Sequence, residues 1–205
     1  MAIIAIPAGL RLAGMKWTQP PAYQVNRSEL TGATRTVQLG PAERWFATGR
    51  LVPRTLDEMV TLRGFLAQMK RPDSFARLSM VERLQVTIPG RPTDCQVNGG
   101  GQLGYSLNLK GLAPGVTNLV AGQIIMVVIP GDFWQPIVLG ANLVADGAGN
   151  GTATLTTPLR KSPADNDGVA LSNPVCTVRM RDPLAWEATP GTIYQPGDFV
   201  AEEGF

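Results

Sequence analysis

Residues 119–156 read LVAGQIIMVVIPGDFWQPIVLGANLVADGAGNGTATLT, and this stretch decides the fold class. Its longest apolar run, Ile124 to Pro130, is strand-sized and falls far below the roughly 20 apolar residues that a membrane-spanning helix needs. Gly131-Asp132 and the segment Asp146-Gly147-Ala148-Gly149-Asn150-Gly151 punctuate the runs. They belong in turns, because glycine accepts positive φ and short Asx side chains bond the local backbone. From Thr152 to Thr156 the threonines alternate with Ala153 and Leu155, the period of a half-exposed strand.

The same texture extends on both sides, from about residue 85 to 172. Tyr105 to Leu109 alternates, with Tyr105, Leu107 and Leu109 expected on one face, and Leu119 to Ile129 and Ile137 to Val144 supply further strands. Leu84 to Ile88 alternates weakly before Pro89-Gly90-Arg91-Pro92, which reads as a linker or sharp turn. Five or six short strands in so few residues predict a small OB-like barrel, whose closure removes exposed sheet edges.

The flanks differ. Residues 2–6 read as a strand stopped by Pro7, Leu10 to Gln19 as an extended segment carrying Trp17, and Arg35 to Leu39 and Arg44 to Leu51 as hairpin-like units. Thr55 and Glu58 form a capping box that opens the one clear helix, and Pro72 ends it. Its stripe is Leu56, Met59, Leu62, Leu66 and Met69, widened by Val60 and Phe65, with Arg63, Gln68 and Lys70 on the polar side. Val175 to Met180 and the region around Phe199 to Glu202 give late strands, expected to return to the first sheet. The expectation is thus a mainly β (α+β) chain. A β-sandwich-like domain of residues 1–84 plus 173–205, with a helix over 55–70, is interrupted by an inserted barrel of residues 85–172.

Composition narrows function. The 205 residues are 44% hydrophobic and 17% charged, which suits a folded globular chain, and the 23 glycines and 17 prolines are scattered as turn formers rather than in one block. A net charge of +2, with no basic run longer than pairs such as Arg160-Lys161, gives no footprint for nucleic acid. The apolar start lacks a basic region ahead of it and is interrupted by Pro7, Gly9 and Arg11. Neither a signal peptide nor a membrane anchor is expected, and synthesis in a cytoplasm is.

The inventory of reactive groups is thin. Histidine is absent, so a serine or cysteine nucleophile would need a lysine or amine as base, and Lys16, Lys70, Lys110 and Lys161 have no serine in a strained elbow beside them. Cys95 and Cys176 share no metal-binding spacing; whether they lie close is open, and a reduced pair of small buried hydrophobes is expected. Gly99-Gly100-Gly101 is not followed by a helix or a GK[ST] sequence, so a turn is expected there rather than a phosphate loop. Asp146, Asn150, Asp165, Asn166 and Asp167 lack calcium-loop spacing and read as turn formers. No catalytic residue, cofactor or metal is expected. Trp17, Trp45 and Trp186 are candidate anchors of an assembly interface, with core burial the competing role. Together with Trp134, Tyr23 and Tyr194 they also leave open a carbohydrate-stacking platform.

Several stretches together resemble the distal tail proteins and related tail-tip components of long-tailed bacteriophages. They are Ile6-Pro7-Ala8-Gly9-Leu10-Arg11 through Trp17-Thr18-Gln19, and the capped helix from Thr55 to Met69 following a Trp45 strand. In the middle, Ala121-Gly122-Gln123-Ile124, the Asp146 to Gly151 turn and Pro158-Leu159-Arg160-Lys161-Ser162-Pro163 are similar to a recurring β unit of phage structural proteins. Most relatives carry Asp where this chain has Gln123. The closing Phe199 to Glu203 also fits. The resemblance implies a non-enzymatic virion subunit that forms a ring, often sixfold, at the tail end, with a tail tube or decoration subunit as the alternative within the same class. Its partners would be copies of itself, the tail tube protein, and hub or fibre proteins. A closed ring repeats a heterologous contact, so each copy needs two different complementary faces.

Overall fold

The computed structural model describes residues 2–8, 11–38, 43–52, 55–81, 85, 89–131, 133–181, 186–187, 195–196 and 198–204. Most of the weak alternation expected between Leu84 and Ile88 lies outside the described residues, as do Tyr194 and the side chain of Trp186. Strands before the helix are β1 (Ala2–Ile3), β2 (Arg11–Thr18), β3 (Tyr23–Arg27), β4 (Thr34–Gln38) and β5 (Phe46–Val52). After helix α1 (Leu56–Met69) come β6 (Ser74–Ser79), β7 (Asp94–Val97), β8 (Gly104–Lys110), β9 (Thr117–Leu119), β10 (Ile124–Ile129) and β11 (Phe133–Val138). The chain ends with β12 (Leu143–Val144), β13 (Asn150–Leu159), β14 (Gly168–Ala170), β15 (Val175–Met180), β16 (Trp186–Glu187), β17 (Gln195–Pro196) and β18 (Asp198–Glu203). The fold is mainly β with one helix.

Two six-stranded sheets carry the structure. The first runs β1-β6-β15-β18-β5-β2, so the late strands β15 and β18 sit in its middle, between strands from the start of the chain. The second runs β11-β10-β14-β7-β8-β13 and is nearly closed. Its edge strands are drawn together where Leu139 bridges Leu155 and the Gly140 N–H donates to the Thr154 carbonyl at 2.9 Å. The short β9–β12 ladder adds Leu119 and Leu143 to the barrel interior.

Each sheet has its own apolar core. The barrel is filled by Leu107, Leu109, Leu119, Ile125, Val127, Ile137, Leu139, Leu143, Val169 and Leu171, all at 2% exposure or less. At roughly 1.5–3 kcal/mol per fully buried side chain, such a core offsets much of the ordering cost of so many short strands. A methyl group added at Gly151 would stand 2.7 Å from the Val144 carbonyl oxygen, so glycine is what permits β13 to approach the β12 backbone.

The first sheet buries Ala47, Leu51, Ala76, Leu78, Cys176, Val178, Phe199 and Ala201 with the helix residues Met59, Leu62, Phe65, Leu66 and Met69. Ile124 and Val138, from the outer side of the barrel, pack against the same cluster. The expected sandwich is therefore a sheet whose facing layer is made by the helix and the barrel.

Local signals account for α1. The Thr55 side chain accepts from the Glu58 N–H at 3.2 Å and the Glu58 carboxylate accepts from the Thr55 N–H at 3.3 Å, completing the capping box. The burial pattern corrects the expected stripe: Phe65 belongs to it, but Leu56 and Val60 are 59% and 58% exposed. The first strand is also shorter than expected, Ala2–Ile3 rather than 2–6, because only these residues pair with β6. Tyr105, expected to share one face with Leu107 and Leu109, is 48% exposed near the start of β8, while those two are buried.

β3 and β4 stand apart. Among the described residues they pair only with each other, Tyr23 opposite Gln38 through Arg27 opposite Thr34, and form a two-stranded sheet of their own.

Candidate assembly surfaces and the seam between the sheets

The seam between barrel and first sheet is built around β11, whose alternate residues face opposite ways. Gln135 and Ile137 are buried toward the barrel, and Trp134, Pro136 and Val138 meet the first sheet. The Trp45 indole N–H donates to the Pro136 carbonyl at 3.0 Å. The Arg77 guanidinium of β6 lies over the Trp134 ring, 3.4 Å from its centroid, a cation–π contact that holds the ring to the sheet. Gln135 fixes the end of β13, its amide donating to the Pro158 carbonyl at 3.0 Å and its oxygen accepting from the Arg160 N–H at 3.1 Å.

That places Arg160 over the end of β18. Its guanidinium forms a two-point ion pair with the Glu203 carboxylate, one of the contacts at 2.8 Å, and donates to the Glu43 carbonyl. The side chains are 9% and 1% exposed. Glu203 also accepts the Trp45 backbone N–H at 3.0 Å. A buried pair of this kind adds little over a well-packed apolar contact, but removal of one partner strands a charge in the interior. Its role is to fix the relative placement of two sheets.

The tryptophan candidates fall in different places. Trp45 is 8% exposed and Trp17 packs edge-on against it, ring centroids 6.4 Å apart at 84°. Trp45 belongs to the core of the first sheet, and Trp17, partly buried, packs against it. Trp134 is half-buried beneath Arg77, which leaves little of its face for stacking on a sugar. Sequence reasoning missed Arg160, Glu203 and Pro136, whose roles arise only from tertiary placement.

The Asx-rich turns use their own backbone as ligand. Asp146 accepts from the N–H groups of Ala148 and Asn150, both at 2.8 Å, and these bonds, the Asn150 one foremost, hold its carboxyl below the usual range. Asp165 accepts from the Gly99 N–H at 2.9 Å and from Lys110 Nζ at 2.9 Å, and its carboxyl is likewise lowered, first by the Gly99 bond. Gly99, at φ +86°, thus points its N–H at a carboxylate of the same chain. Asp167 accepts from the Ala164 N–H at 2.6 Å. Among the described residues no group of three or more His, Cys, Asp or Glu side chains could hold a metal ion, and no helix is long and apolar enough to cross a membrane.

Cys95 lies in the barrel core and Cys176 in that of the first sheet, so the two thiols are separate, free and buried. Burial, aided by Asp94, pushes the Cys95 thiol up to about 12. Burial raises Cys176 well above its usual value, with Glu203 adding to the rise and Arg160 opposing it.

Two open surfaces among the described residues bear on binding. On the barrel, Asn98, Asn108, Val144, Asp146, Asn150, Gly151 and Thr152 line a polar cavity of about 400 Å³. On the β3–β4 hairpin, every described side chain from Tyr23 to Val37 is exposed, including Tyr23 and Val25, each at 52%, and Leu30 at 99%. A lone two-stranded hairpin is only marginally stable in water, so contact with a further surface would stabilise this arm. No known protein family matches the chain, and none of the characterised proteins it was compared with does.

Proposed function

We propose that the chain is a non-enzymatic structural subunit of a phage tail tip, forming an oligomeric, sixfold ring that joins the tail tube protein to hub, fibre and receptor-binding parts. It is made in the host cytoplasm and ends in the virion. The observation that carries this reading is the β3–β4 arm, an exposed hairpin with apolar Tyr23, Val25, Leu30 and Val37 on its surface. Such an arm suits pairing with a neighbour. The resemblance of residues 121–163 and of both chain ends to phage tail proteins supports the same reading. So does the locked seam, since a ring subunit must present its contact faces at a fixed angle. Negative-stain images of the purified protein should show closed rings of one diameter, and mass spectrometry should find the chain in tail particles. A protein that stays monomeric at high concentration and is absent from particles overturns it.

A second reading, an adhesion module that binds carbohydrate, draws on the polar cavity of the barrel, whose amides and hydroxyl suit a polyol. Glycan-array binding that is lost in Asn108→Ala would favour it.

A further inference from the structure

The outer face of α1 matches the arm. Leu56 and Val60, one turn apart, are both well exposed, and Gly64 and Ala67 continue the same exposed stripe. Glycine inside a helix is unfavourable relative to alanine, yet a methyl group at Gly64 would meet nothing within 4 Å. Packing within the chain therefore gives no reason for glycine there, whereas close approach of another backbone does. The first turn of α1 carries Asp57 and Glu58, and the arm carries Arg27 and Arg35. Along β3, Tyr23, Val25 and Arg27 share one face because side chains alternate. With Glu29 on the arm and Arg63 on the helix counted, the arm carries a net +1 and the helix a net −1, so the two are complementary in apolar surface and, by one charge each, in sign.

We propose that the arm of one subunit seats on the outer face of α1 of a second copy. Tyr23 and Val25 cover Leu56 and Val60, the strand backbone crosses at Gly64, and the arm's arginines meet Asp57. This rests on the ring reading above and names the contact that would build it. The two surfaces differ, so the contact is heterologous and each copy offers one arm and one seat. Repetition then yields a closed ring or an open filament.

Engineered thiols in the full-length chain test it, since Cys95 and Cys176 are buried. A Val25→Cys/Val60→Cys double variant, mildly oxidised, should give a ladder of linked species beyond dimer on a non-reducing gel. An equimolar mixture of the two single variants should stop at dimer. Gly64→Tyr should weaken self-association about tenfold or more while leaving the circular dichroism spectrum unchanged. If the wild type assembles but the double variant gives no ladder, or the folded Gly64→Tyr chain assembles as well as wild type, the seat is wrong while the ring reading stands. If the wild type stays monomeric at every concentration, the ring reading fails and this contact with it.

Discussion

The Glu203 carboxylate joins the two halves of the molecule: it is held by the Arg160 guanidinium from the end of a barrel strand and by the Trp45 backbone N–H from the start of β5. Arg160→Met leaves that carboxylate buried without its cation and should cost about 3–5 kcal/mol of folding stability, measured by urea denaturation. Arg160→Met/Glu203→Leu should recover part of the loss, because what remains is two neutral groups without these partners, the Trp45 N–H and the Glu43 carbonyl, at about 1–3 kcal/mol each. A double variant no more stable than the single one would argue against the pair as the latch.

Trp45 separates core from assembly. Trp45→Ala should lower stability by about 3–5 kcal/mol, as for other large buried aromatics. Trp45→Phe should cost less, chiefly the lost indole bond to the Pro136 carbonyl. Light scattering at concentrations where each variant is fully folded should show self-association at the wild-type level.

Acid should loosen the barrel's 99–103 loop and its tie to Lys110 of β8 through Asp165. Its folded carboxyl sits below the unfolded value of about 3.9, so the unfolded chain binds the proton more readily. The associated stability is present above that unfolded value and disappears as pH falls through the lowered folded one. Asp165→Asn should flatten the acid side of the stability profile between about pH 5 and pH 2, with little change in its slope near neutrality. Because Asp165 and Lys110 are partly exposed, added salt should reduce the difference.

Gly64→Ala should raise the monomer's melting temperature, since the new methyl group enters open space and removes about 1 kcal/mol of helix penalty. The same change fills the proposed seat. Stability and self-association measured side by side on this one variant should therefore move in opposite directions.

What could be read from the chain depended on whether the signal was local. The capping box of Thr55 and Glu58 and the turn glycines around Asp146 act within a few residues, and both appear in the structure as their spacing indicates. Strands bounded by Pro or Gly, such as Ile124–Ile129 and Val175–Met180, were equally legible. Asp94–Val97 and Gly168–Ala170 were not, because they are too short to show a period and become strands only by pairing with each other and with β8 and β10. Leu56 and Val60 fit the helical stripe by periodicity, and only the width of the surface beneath α1 decides that they stay outside. The seam was invisible for a further reason: Glu203 and Arg160 are 43 residues apart, and nothing near either one announces its partner.

Ser79 and Val175 are direct neighbours in the ladder between β6 and β15. The whole excursion through the barrel thus leaves the first sheet and rejoins it at a single rung, much as a turn would. The pairing of β6 with β15 is accordingly indifferent to the length of what hangs between those two residues. Another folded cassette in its place would have to bring a cation to stand where Arg160 stands, or meet a changed Glu203, and also cover the apolar face that Ile124 and Val138 now cover.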